Sequence, residues 1–193
     1  MPHISQSSLM PLEIYARERS QFRARVMAHK QDRTLHLGEH LTLIFEDELT
    51  IRYQVQEMLR VERIFEDAGI REELDAYNPL IPDGRNLKAT LMLEYTDPGE
   101  RREQLGRLIG IEDSVWVEVE GRGRVRAVAD EDLERDNEQK TSSVHFLRFE
   151  LTEEMAQALK RSAGLRVGVD HPHYKASIEA PVAVRASLAN DLS

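Results

Sequence analysis

Near residue 80 this chain changes the period of its apolar residues. From Leu12 to Lys30, and again from Glu48, they recur at helical spacing; from Leu87 to Glu179 they come in short alternating runs broken by turn residues. A helix repeats every 3.6 residues and a strand every 2, so the two halves demand different structures. The strand runs also lie close together. Val115–Glu120 and Arg124–Val128 flank Gly121-Arg122-Gly123 as a hairpin, and Leu165–Asp170 and Lys175–Glu179 flank a turn at Pro172. Such spacing leaves no room for crossover helices. It predicts an α+β protein whose helical N-terminal part packs on a mostly antiparallel sheet of about five to six strands.

The expected organisation is a single domain over 1–193. It has a flexible lead at 1–10, a mainly helical part at 12–77, a strand-rich part at 85–180 and a C-terminal helix at 181–192. In the helical part, Tyr15, Phe22, Val26 and His29 share one stripe, which also contains Arg19. A long helix runs from Glu48 to Asp67, with Gly69 as its stop. Thr152 is placed to cap a later helix.

A chain of 193 residues buries about 70% of its unfolded surface and needs no covalent staple. It has no cysteine, which excludes thiolate catalysis, disulfides and cysteine-held zinc or iron–sulfur clusters. No apolar run reaches the roughly 18 residues that a membrane span requires, so no membrane insertion is expected. The opening MPHISQSSLMPLE lacks the pattern of a secretory signal, and the expected location is cytoplasmic. A net charge of −9 repels phosphate backbones and argues against nucleic acid as a partner. The charge is uneven. Residues 1–36 hold six Lys or Arg against three Asp or Glu, a surplus of +3, which leaves −12 for the remainder.

Familiar chemistry-bearing motifs are missing or incomplete. Gly121-Arg122-Gly123-Arg124 sits in a hairpin with no helix start behind it, and no other glycine pattern suits a phosphate loop. There is no Gly-x-Ser-x-Gly nucleophile turn. The acidic run Asp130, Glu131, Asp132, Glu134, Asp136, Glu138 has the alternation of a calcium loop, but Arg135 replaces the essential glycine and Thr141 the final bidentate glutamate.

Two features remain. On the helix from Glu48, the residues Ile51, Val55, Met58, Leu59 and Phe65 make an apolar face, and Glu62 projects into its middle. Glu57 lies on the other side, among Tyr53, Val61 and Ile64. A carboxylate aimed into a core needs a cation, a metal or donors. Arg19 is the expected partner of Glu62, in a buried ion pair; the other reading is a ligand or catalytic role. The second feature is histidine. His145 shares a strand face with Leu147, Phe149 and Leu151, and His171 and His173 bracket Pro172 beside Asp170. With Glu57 or Glu62 they would form a His/Glu site for iron, manganese or zinc. Otherwise His145 is a hydrogen-bonded core residue and the other two are turn residues.

The stretches LGEHLTLIFEDELTIRYQVQEMLRVERI, YNPLIPDGRNLKATLMLEY, ADEDLER, KTSSVHFLRFEL and GVDHPHY together resemble domain-of-unknown-function family 3501, a bacterial family, over nearly the whole chain from about Tyr15 to Leu192. The resemblance implies a gene setting beside rubrerythrin-like proteins and iron–sulfur oxidoreductases. It therefore implies a non-catalytic accessory or binding role in redox or peroxide defence, with those proteins as partners. The alternative is a small metal-dependent protein using the His/Glu site.

Overall fold

The computed structural model of the chain describes residues 3–129 and 140–193. The acidic run of 130–138 lies outside the described residues. The described chain has six α-helices and eight strands. α1 (Leu12–Gln31), β1 (Thr34–Leu37), β2 (Leu41–Phe45), α2 (Glu48–Val61) and α3 (Asp67–Tyr77) precede β3 (Asn86–Leu93). α4 (Pro98–Arg107), β4 (Val115–Val119), β5 (Gly123–Arg126), β6 (Val144–Glu150), α5 (Glu153–Lys160), β7 (Leu165–His171), β8 (Tyr174–Glu179) and α6 (Val182–Ala189) follow.

The fold is α+β with a helical N-terminal part, and every strand pairing is antiparallel, in the orders β1-β2-β3-β6 and β5-β4-β7-β8. The eight strands thus form two sheets of four, where a single sheet was expected. The reason is alternation. Leu35, Leu43, Leu91 and Leu147 face inward from the first sheet, and Val117, Val167 and Val169 from the second, so the two inner faces bury each other as one core.

The sheets also meet at both edges. Val128 and Arg148 exchange backbone hydrogen bonds of 2.8 Å in each direction beside β5 and β6. At the other edge the Tyr174 hydroxyl on β8 donates to the Leu37 carbonyl at 2.6 Å, and the His40 N–H donates to that hydroxyl at 3.1 Å. Gly38 makes this second seam possible. Its φ is +72°, and a Cβ there would lie 2.7 Å from the Tyr174 oxygen.

α4, α5 and α6 join this core, whereas α1, α2 and α3 build two further clusters. Phe146, on the outer face of β6, joins Ile51, Val55 and Leu59 of α2 and Leu74 of α3 in a separate apolar cluster. α1 then packs on α2 through Tyr15, Phe22, Val26 and Tyr53. In the lead, Ile4 is buried, and its N–H and C=O both bond the Asn78 side chain. α2 ends earlier than the sequence suggests. Its C-cap is Glu62, the chain reverses at Arg63 (φ 56°), and the Ile64 N–H returns to the Leu59 carbonyl at 3.0 Å. Gly69 stops nothing. It lies in the first turn of α3, where a Cβ would be 2.7 Å from Ile64 Cγ2.

On the outer face of the second sheet Trp116 crosses its register partner Gly168, and the Arg124 guanidinium covers the indole at 3.5 Å. A Cβ at Gly168 would lie 2.3 Å from Trp116 Cζ2. Gly168→Ala is therefore expected to destabilise the protein by about 1–3 kcal/mol, the usual range for overpacking. Urea unfolding checks it, and an unchanged midpoint would mean that the ring has another place to go.

Candidate functional site

Arg33, just before β1, is the largest fully buried side chain among the described residues. Its position follows from strand parity: Arg33, Leu35 and Leu37 alternate inward. A guanidinium there must satisfy five N–H groups. Nε donates to the Phe45 carbonyl at 2.8 Å and Nη2 to the Glu46 carbonyl at 3.1 Å. Nη1 donates to the Ser187 hydroxyl at 3.1 Å. Nη2 also makes a short ion pair with Asp191, and Nη1 lies 3.5 Å from Asp47.

Asp47 has further partners. It is the N-cap of α2, accepting from the Thr50 N–H at 2.9 Å, and it holds His29 Nε2 at 2.5 Å. Burial pushes its pKa up, but Arg33, the Thr50 N–H and His29 outweigh burial and hold it below the usual value. Asp191 behaves in the opposite way. Burial lifts it to about 6, over the opposing pull of Arg33.

A cleft of about 820 Å³ opens beside this network. Phe22, Leu49, Ile81, Pro82 and Leu192 give it apolar walls. Asp47 and Asp191 line it together with Arg25, Arg52, Glu48 and Asp83. Its size is that of a small-molecule site.

The residues singled out from the sequence lie elsewhere. Arg19 does not meet Glu62. It forms a two-pronged pair with Glu57, Nε–Oε1 2.7 Å and Nη2–Oε2 2.8 Å, and the Tyr15 hydroxyl donates to the same carboxylate at 2.7 Å. The correction follows from the geometry of α2. Glu62 is its C-cap, where helical phase is lost, and it is exposed, as is Phe65. Glu57 instead faces α1. The Arg19 hydrogen bonds are the largest influence on it and hold its carboxyl down at about 2. Burial, then the adjacent Glu57, pushes the Tyr15 phenol up.

His145 and His171 are buried and His173 is exposed. His145 Nε2 lies 3.0 Å from the Thr141 hydroxyl and the Ser142 carbonyl, and 3.9 Å from Glu112. His171 Nε2 donates to the Ile109 carbonyl at 3.1 Å, while Nδ1 accepts the His173 N–H at 3.2 Å. One segment, 109–112, thus touches both buried histidines. Among the described residues, no group of three or more His, Cys, Asp or Glu is arranged to hold a metal ion. No helix among them is long and apolar enough to cross a membrane.

The model of the family described as protein of unknown function (DUF3501) matches residues 3–192. The chain belongs to this family. A crystal structure of a novel protein of unknown function from Burkholderia pseudomallei is similar to it, with 54% identity over 100% of both chains and a TM-score of 0.95. No protein of curated function matches.

In this DUF3501 protein the Arg33, Asp47 and Asp191 network was not singled out from the sequence, although two signals for it were present. Arg33 falls on the inward parity of Leu35 and Leu37, and Asp47 stands three residues before Thr50 in the pattern of a helix cap. Nothing local marks Asp191, whose partner is 158 residues away. Arg33→Ala leaves buried carboxylates without their cation. The expected loss is about 3–5 kcal/mol in chemical unfolding, with hydrogen exchange rising first over 182–193.

The Arg19–Glu57 pair gives a pH prediction. Its folded pKa, about 2, lies below the ordinary 4.5, so its contribution is present above 4.5 and fades as pH falls through 2. Melting temperature should drop over that window, and Glu57→Gln should flatten this part of the profile. Parallel profiles for the two proteins would contradict the assignment.

Proposed function

We propose that this DUF3501 protein is a non-catalytic binding protein, an accessory subunit that docks onto redox proteins. The observation that carries the reading is the contrast along α2. Its inward and helix-facing charges are bonded within the chain, Glu57 to Arg19 and Tyr15, Asp47 to Arg33 and His29. At its last residue and just beyond it, apolar side chains are left in solvent, Val61 58% and Phe65 67% exposed. Exposed apolar groups rimmed by charge are what protein interfaces use as anchors. Arg60, Glu62 and Arg63 supply that rim.

The partner class comes from the family resemblance: rubrerythrin-like proteins and iron–sulfur oxidoreductases of a bacterial peroxide-defence or electron-transfer system, in a cytoplasmic setting. Titration calorimetry of the purified chain against each of these proteins from its own genome tests this. Association tighter than about 100 μM is expected with at least one. The double variant Val61→Asp, Phe65→Asp should weaken it at least tenfold without lowering the melting temperature. No association with either class would end the proposal.

A further inference from the structure

We propose that the cleft beside Arg33 binds a small organic cation, a primary amine carrying an apolar group, with its ammonium on the free oxygen of Asp191. This goes beyond the docking role and stands on a different surface, since Val61 and Phe65 do not line the cleft.

One guanidinium, Arg33, serves two carboxylates, and its other acceptors are the neutral Phe45, Glu46 and Ser187 oxygens. Asp47 has two additional donors in the Thr50 N–H and His29. Asp191 has only Arg33, through Oδ2; no second donor among the described residues reaches Oδ1. Yet the Asp191 side chain is only 9% exposed. A carboxylate this enclosed loses most of its hydration, and the oxygen that Arg33 does not hold keeps only the water of the cleft, where an incoming donor can replace it. Burial outweighing Arg33 in the titration of Asp191 has the same origin.

The shape of the cleft sets the rest of the ligand. Asp191 borders a space of about 820 Å³, large enough for an amine with a ring or a short chain. Phe22, Leu49, Ile81, Pro82 and Leu192 offer the apolar group a surface. The cations at the rim do not replace the missing one. Arg52 is tied to Glu48 and the Ser8 carbonyl, and Arg25 stands exposed beside the Phe22 ring at 6.0 Å without an ion pair to Asp191. Glu48 and Asp83 add negative charge along the entry. An ammonium brings three donors, enough to bond Oδ1 and to keep its remaining protons toward water. An anion of the same shape would meet Asp191 and Asp47 head-on.

The test is calorimetric titration of the full chain at pH 7.5 with phenethylamine, and with 3-phenylpropionate as the anion of similar size. Phenethylamine should bind with a Kd of about 10 μM to 1 mM, and 3-phenylpropionate at least tenfold more weakly. Asp191→Asn should lower amine affinity at least tenfold. Because Asp191 also holds Arg33, a second variant guards against misfolding. Leu49→Lys places an ammonium on the half-buried cleft wall; it should abolish amine binding in a chain whose circular dichroism shows it folded. In ¹⁵N spectra, phenethylamine should shift the amides of Leu49 and Leu192. Absence of phenethylamine binding, equal binding of the anion, amine binding unchanged in Leu49→Lys, or shifts confined to another surface would each overturn the proposal. All of these outcomes leave the redox-partner measurement untouched, so the two readings fail separately.

Discussion

A buried guanidinium decides how this molecule is assembled. Arg33 is 1% exposed, and removing such a charge from water costs several kcal/mol unless every donor is met. The acceptors that meet it come from distant parts of the chain: the end of β2, the start of α2, and α6 with the segment that follows it. Each acceptor is useful only if the others are in place. The guanidinium therefore acts as a geometric constraint, fixing the first sheet, the helical layer and the C-terminal segment relative to one another. The cleft is a by-product of this junction, because three elements converge on one charge without filling the space in front of it.

The same economy holds across the core. Its middle is apolar from both sheets, and the buried Arg33, His145 and His171 stand at or near strand ends. Arg33 is met there by its carboxylates. His145 and His171 are each hydrogen-bonded near the segment 109–112. Polar groups at strand ends find backbone carbonyls and hydroxyls that strand interiors have already used in their ladders. This accounts for the buried histidines as parts of the fold: both ring nitrogens of His171 have backbone partners.

Local period and turn chemistry were legible in the sequence, and the elements they define are present, from the Gly121–Gly123 hairpin to the Thr152 cap. Two kinds of information were not. The first is where a helix loses its phase. Projecting α2 beyond Val61 placed Glu62 in a core, whereas the reversal at Arg63 turns it to water and leaves Glu57 to receive Arg19. The second is which strands pair. Alternation identifies a strand's two faces but not its neighbours, and β3 meets β6 across some fifty residues of chain that hold α4, β4 and β5. Hence the α+β class followed from the sequence while the division into two sheets did not. The candidate site was hidden for the same reason. Asp191 has meaning only beside Arg33, and nothing within ten residues of either announces the other.

Asp47 and Asp191 show how far local donors, and not charge alone, set the behaviour of this site. Both carboxylates approach the same guanidinium and both are largely buried, yet Asp47 is held low and Asp191 is lifted. Distance to the cation does not explain the difference, since Asp191 is the nearer of the two. Solvation supplies the explanation. Asp47 replaces lost water with the Thr50 N–H at the start of α2 and with His29, and the helix start itself favours a negative charge. Asp191 replaces its water with one ion pair and has an oxygen left over. One carboxylate is thus completed by the chain, while its neighbour keeps one oxygen without a donor among the described residues, at the wall of an open cleft. Whatever binds there is selected first by charge and then by the apolar walls around it.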